Sequence, residues 1–157
     1  MIALLLTVAF VAAACGANHP TAADGRVIAI YSTVIRVVAP PQATTPTTPL
    51  SDPVFVVPAD TRSPISLQVQ AAIVDVLHDF ATLRFVDERS EAIDTADPHQ
   101  PVHDGGVLIT LGNVPPGGTN VTIDAERYER IGVATTYRIS LQRVGVNWKP
   151  LGPLVHS

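Results

Sequence analysis

The chain has 157 residues, 46% of them hydrophobic and 15% charged, with a net charge of −4. It is long enough for one domain with a real core and too apolar to stay unfolded throughout. The acidic balance argues against nucleic acid as a partner: the nearest thing to a basic stripe, Glu126 to Arg130, sets an acidic neighbour beside each arginine. A single cysteine, Cys15, excludes an intramolecular disulfide.

From Met1 to Ala17 no side chain is charged, and Thr7 is the one polar residue besides the thiol. A bilayer-spanning helix needs roughly 20 apolar residues. This run is shorter and closes on small residues, Ala12, Ala13, Ala14, Cys15 and Gly16, which is the shape of an export signal. Ala12-Ala13-Ala14-Cys15 resembles the lipobox of bacterial lipoproteins. The chain departs from that family's pattern at Ala12, where the family favours Leu, and in having no Lys or Arg ahead of the apolar run. The resemblance implies that the Cys15 thiol receives a diacylglyceryl group and that cleavage falls just before it. Residues 1–14 would then be the signal peptide and residues 15–25 a lipidated tether. A membrane partner reached through lipid on Cys15 follows, on the extracytoplasmic face of the cell membrane. Two acyl chains, at about 0.8 kcal/mol per buried CH₂, make a durable anchor. On the residues alone, an ordinary cleaved signal and a buried N-terminal helix stay open.

Residues 16–25 are small and polar and suit a flexible tether. From Arg26 to Val38 the residues are β-branched, yet Val27, Ile30, Tyr31, Val34, Ile35 and Val38 fall at helical spacing, which predicts a helix ended by Pro40 and Pro41. Residues 40–53 are rich in proline and threonine and read as an extended loop. Val54–Val57 reads as a short buried strand. The spacing of Ile65, Val69, Ala72, Ile73, Val76, Leu77 and Phe80 predicts the strongest helix, with Ser63 as its N-cap and Pro64 in its first turn. Leu83–Asp87 is a strand. A polar connection follows, with one helical turn near Ser90 to Ile93.

The C-terminal third alternates. Gly106–Gly112 is a strand and Pro115 to Gly118 form a turn. Val121, Ile123 and Ala125 alternate with Thr122, Asp124 and Glu126, and Tyr137, Ile139 and Leu141 with Thr136, Arg138 and Ser140. Gly132 marks the hairpin tip between these strands, and a last tight turn at Val144-Gly145 leads to a strand holding Trp148. Residues 26–157 are therefore expected to form a single α+β domain: an antiparallel-rich mixed sheet with two helices packed on one face. The segment Thr136–Lys149 resembles the closing hairpin of nuclear-transport-factor-like domains and of small actinobacterial lipoproteins, which implies the fold class and no chemistry.

Candidate chemistry is sparse. Asp97, His99, His103 and Asp104 place two imidazoles and two carboxylates in eight residues, a set that suits zinc. Pro98 and Pro101 bar the helix that would aim both histidines at one ion. His78 and Asp79, with Asp75 a turn earlier, form a conceivable general base or a solvated helix end. Asp87, Glu88, Glu91 and Asp94 lack the spacing of a calcium loop. Asn120-Val121-Thr122 fits a glycosylation sequon. Nucleophile-elbow, phosphate-loop and dinucleotide motifs do not occur, so no cofactor is expected and no catalytic residue is assigned. Trp148 reads as packing; exposed beside an apolar groove, it would favour binding instead. The expected role is a lipid-anchored envelope protein whose domain binds a small ligand or another protein. The alternatives are a small envelope enzyme assisted by metal on His99 and His103, and an assembly domain.

Overall fold

The computed structural model describes residues 21–40, 50–152 and 155–156. The expected signal peptide, Cys15 and most of the 40–53 loop lie outside these residues. The tether extends into them only at its end.

Helix α1 (Ala22–Val38) is fixed at its start by a capping box: the Thr21 hydroxyl accepts from the Asp24 amide, and Asp24 accepts from the Thr21 amide at 2.9 Å. The Thr21 hydroxyl also donates to the Asp24 carboxylate at 2.7 Å, and that bond, followed by the one from the Thr21 amide, holds the Asp24 carboxyl below its usual range. The cap bonds also carry the helix back over Ala22–Gly25, so the last residues of the expected tether are its first turn. Ile30, Val34 and Ile35 are completely buried, as the helical spacing required. A run this rich in β-branched residues has weak helical propensity, so its stability comes from packing.

Strand β1 (Val54–Pro58) follows, then helix α2 (Leu67–Leu77) and strand β2 (Leu83–Phe85). The α2 N-cap is Ser66, not Ser63; its hydroxyl accepts from the Val69 amide at 3.4 Å. The reason is Ile65: it is buried, so the chain stays extended past Pro64 to seat it before turning. The Gln70 carboxamide then donates to the Ile65 carbonyl at 2.8 Å. The buried stripe is also narrower than expected. It consists of Val69, Ile73 and Leu77, while Val76 is about half exposed and Leu67 is 82% exposed.

Short 3-10 turns at Arg89–Glu91 and His103–Gly105 lie in the connection to strand β3 (Val107–Leu111). Strands β4 (Asn120–Arg130), β5 (Val133–Val144), β6 (Asn147–Pro150) and β7 (Val155–His156) complete the chain. The sheet order is β2-β1-β3-β4-β5-β6, with β7 pairing the same β5 further along. β6 meets β5 at residues 141–144 and β7 meets it at 137–138, so the seven strands make a sheet six positions wide.

The sheet is mixed rather than antiparallel-rich. β1 pairs in parallel with both β2 and β3, and antiparallel pairing begins only at β3–β4. The cause is connection length. α2 spans the β1–β2 crossover, and residues 86–106 cross back over the sheet to set β3 on the other side of β1. The continuous burial of Val54–Val57 is the mark of such a central parallel strand.

Alternation divides the side chains between two cores. Val54, Val56, Ile109, Ile123, Ile139 and Leu141 face α1 and α2. Phe55, Val57, Leu108 and Tyr128 point the other way, where Ala92, Ile93 and Val102 of the β2–β3 connection cover them. That cover is closed where Gly106 passes Pro53. The Pro53 carbonyl accepts from the Val107 amide at 3.1 Å, and a Cβ on Gly106 would overlap the same oxygen. Beyond the cover, Thr122, Asp124, Thr136 and Arg138 leave the antiparallel half open to solvent.

Candidate functional site

The concave feature that stands out lies on the outward side of α1. Its floor is Gly25, Ile28, Ala29, Ser32 and Thr33; Arg36 and Val76 form one wall and Asn147 and Trp148 the other, enclosing about 280 Å³. It exists because the residues at this face are small. Gly25, Ala29 and Thr33 recur at four-residue spacing, leaving a trough between the C-terminal part of α2 and β6.

Arginines brace the trough. The Arg26 guanidinium donates to the Pro115 carbonyl at 2.7 Å and to that of Gly117, and lies over the Trp148 ring at 5.3 Å. Arg36 donates to the Val76 carbonyl at 3.0 Å and lies over Phe80 at 5.2 Å. The Thr33 hydroxyl is committed to the Ala29 carbonyl at 2.8 Å. The Ser32 hydroxyl is not: it is buried and has no hydrogen-bond partner. An orphaned hydroxyl costs about 1–3 kcal/mol. Ser32 is among the residues that line the trough, while its Oγ is sealed from the surface. Among the described residues the lining holds no carboxylate, imidazole or thiol; it offers apolar walls, the Asn147 carboxamide and the Arg36 guanidinium.

The residues singled out from the sequence do not converge on it, Trp148 excepted. Trp148 borders the trough but is only 6% exposed and belongs to the core, in line with the packing reading. His99 and His103 are exposed. The carboxylates beside them are committed elsewhere: Asp97 accepts from the His99 amide at 2.7 Å, and Asp104 pairs with Arg84 at 2.8 Å. Among the described residues, no three His, Cys, Asp or Glu side chains are grouped to hold a metal ion. Glu88 and Glu91 cap a 3-10 turn, and Asn120 opens β4 on an exposed edge. The sequence reading missed Ser32, Ala29 and Gly25. The signal was present as small residues opposite the apolar stripe of α1, but only the position of β6 makes that side a trough.

His78 ends α2. Its Nδ1 lies 2.6 Å from the Asp75 carbonyl and its Nε2 lies 3.0 Å from the Asp79 carboxylate. Both ring nitrogens thus face acceptors, which suits the doubly protonated ring. The Asp75 carbonyl, and after it the Asp79 charge, hold the pKa above 6.5. This is a helix cap, with no third group present to take or give a proton in catalysis.

No family model matches the chain, and comparison with curated proteins and with solved structures finds no similar one.

Two measurements check this description. Ser32→Ala removes the orphaned hydroxyl and is expected to raise stability to urea by about 1 kcal/mol. That exceeds the ~0.5 kcal/mol that helix propensity alone supplies; a loss of stability would mean that the hydroxyl has a partner. By NMR the His78 ring is expected to titrate above 6.5. Because the folded pKa is raised, its contribution to stability is complete below that pH and vanishes as pH rises through the folded midpoint. A pH profile unchanged in His78→Gln would contradict the cap.

Proposed function

We propose that this protein is a lipid-anchored, extracytoplasmic lipoprotein whose α+β domain binds a compact ligand in the trough over α1. The observation that supports the binding role is the trough itself, whose apolar lining of Ile28, Ala29, Val76 and Trp148 is joined by Arg36 and Asn147. The apolar surface of the described lining, with one carboxamide and one guanidinium, suits recognition. The guest that suits it has an apolar body, packed against Ile28, Val76 and Trp148, and one hydrogen-bonding or anionic head directed at Arg36 and Asn147. Support for the location is the resemblance of Ala12-Ala13-Ala14-Cys15 to a lipobox. Among the described residues no helix is long and apolar enough to cross a membrane. The proposed attachment is the lipid on Cys15, which rests on the lipobox resemblance alone.

The location is tested by growing cells on a clickable fatty acid. Label is expected on the wild type and absent from Cys15→Ala; equal label on both, or none on either, ends the lipoprotein reading. The trough is tested with anilinonaphthalene sulfonate, an apolar body bearing one anionic head. Saturable binding is expected to weaken about tenfold in Ala29→Leu, equivalent to about 1.4 kcal/mol. Unchanged binding in that variant removes the trough as the site.

A further inference from the structure

Charge is unevenly distributed across the sheet. Six carboxylates, Asp87, Glu88, Glu91, Asp94, Asp97 and Asp104, lie in the β2–β3 connection, over the parallel half. From Arg130 to Ser157 there is no Asp or Glu, but Arg130, Arg138, Arg143 and Lys149 are present. Arg138 is neutralised by Asp124 at 2.9 Å. Arg143 and Lys149 flank the β5–β6 turn and form no ion pair among the described residues. A chain of net charge −4 thus carries an unneutralised basic end at the β6 edge.

The same end bears the most exposed apolar side chain of the turn. Val146 is 82% exposed, Val144 47%, and Leu151, just after β6, 45%. Val144 and Asn147 pair, so Gly145 and Val146 form a two-residue tip; Gly145 has φ +65° and lets the turn close this tightly. The Arg143 side chain donates to the Gly145 carbonyl at 3.0 Å and stiffens the tip. A rigid, protruding valine ringed by cations matches a bilayer surface with anionic headgroups: the cations meet phosphate and the valine enters the acyl boundary. A second copy of the chain would bring the same cations against each other.

The position of the N-terminus points the same way. Gly25 in the first turns of α1 shares the trough with Asn147 and Trp148, and Arg26 lies over Trp148. Thr21 is six residues after Cys15, at most about 20 Å of chain. We infer that the β5–β6 hairpin is a second membrane contact: Val146 inserts into an anionic bilayer beside Arg143 and Lys149, and orients the domain with its basic edge down. This rests on the lipid-anchored reading for its starting geometry and adds a specific surface to it.

Trp148 is the single tryptophan and lies in this hairpin two residues after Val146, so its fluorescence reports on this region of the chain. The lipidated chain is reconstituted into vesicles with bromine-bearing acyl chains, of phosphatidylglycerol or of phosphatidylcholine. Quenching is expected in the anionic vesicles, several-fold weaker in the neutral ones, and falling as salt is added. Val146→Asp, and separately the Arg143→Gln/Lys149→Gln pair, should reduce it several-fold. Circular dichroism of each variant checks that it folds. Equal quenching in both lipids, or quenching indifferent to these variants, overturns the inference. So does an absence of quenching in both lipids. Sedimentation with vesicles reads the anchor separately. Sedimentation without quenching defeats the hairpin contact and leaves the anchor. Quenching by a chain carrying no fatty-acid label defeats the anchor and supports the hairpin.

Discussion

Packing of α1 against the sheet is the contact on which the other features rest. The helix touches β3, β4, β5 and β6, and its residues Ile30, Val34 and Ile35 are sealed from water. Burying such side chains contributes about 1.5–3 kcal/mol each, far beyond what the helix has from its own propensity. Polar clamps set the angle at which it lies. Arg26 grips the β3–β4 turn, the Tyr31 hydroxyl donates to the Gly112 carbonyl at 3.1 Å, and Arg127 donates to the Ala39 carbonyl at 3.2 Å. Burial pushes the Tyr31 hydroxyl pKa up, so it remains a neutral donor in that contact.

With α1 fixed, the remaining elements close around it. β6 folds along one side and α2 along the other, and the space between them is the trough. Larger side chains at Gly25, Ala29 or Ser32 would fill it. The trough, the basic hairpin and the first turn of α1 share one end of the molecule, because Trp148 touches all three. Ligand recognition and membrane orientation, as proposed, would be coupled through that ring.

The opposite face is built differently. Arg89 lies over Tyr128 at 4.1 Å and pairs with Glu126 at 2.6 Å; Arg84 lies over Phe55 at 5.5 Å and pairs with Asp104. Arginine stems and aromatic rings therefore help to cover the parallel half, where the connecting segment forms only short 3-10 turns. The histidines and aspartates that looked like a metal set belong to this cover. Their order in the chain reflects a tight path: Gln100 and Asp104 have φ of +44° and +57°, with the Gln100 carbonyl held by the Tyr128 hydroxyl at 3.0 Å.

The sequence by itself determined the elements and their faces. Alternation around Ile123 and Ile139 gave the β4–β5 hairpin with its tip at Gly132, and 3.6-residue spacing outweighed β-branching to make Arg26–Val38 a helix, because periodicity records which side will be buried. Tertiary structure alone decided what depends on distant partners. The parallel pairing of β1 with β3 follows from where a long connection lands, and the start of α2 at Ser66 follows from a pocket waiting for Ile65. The trough was illegible for the same reason. Small residues at Gly25, Ala29 and Ser32 are unremarkable on a helix, and become a concavity only when β6, more than a hundred residues later, forms its wall.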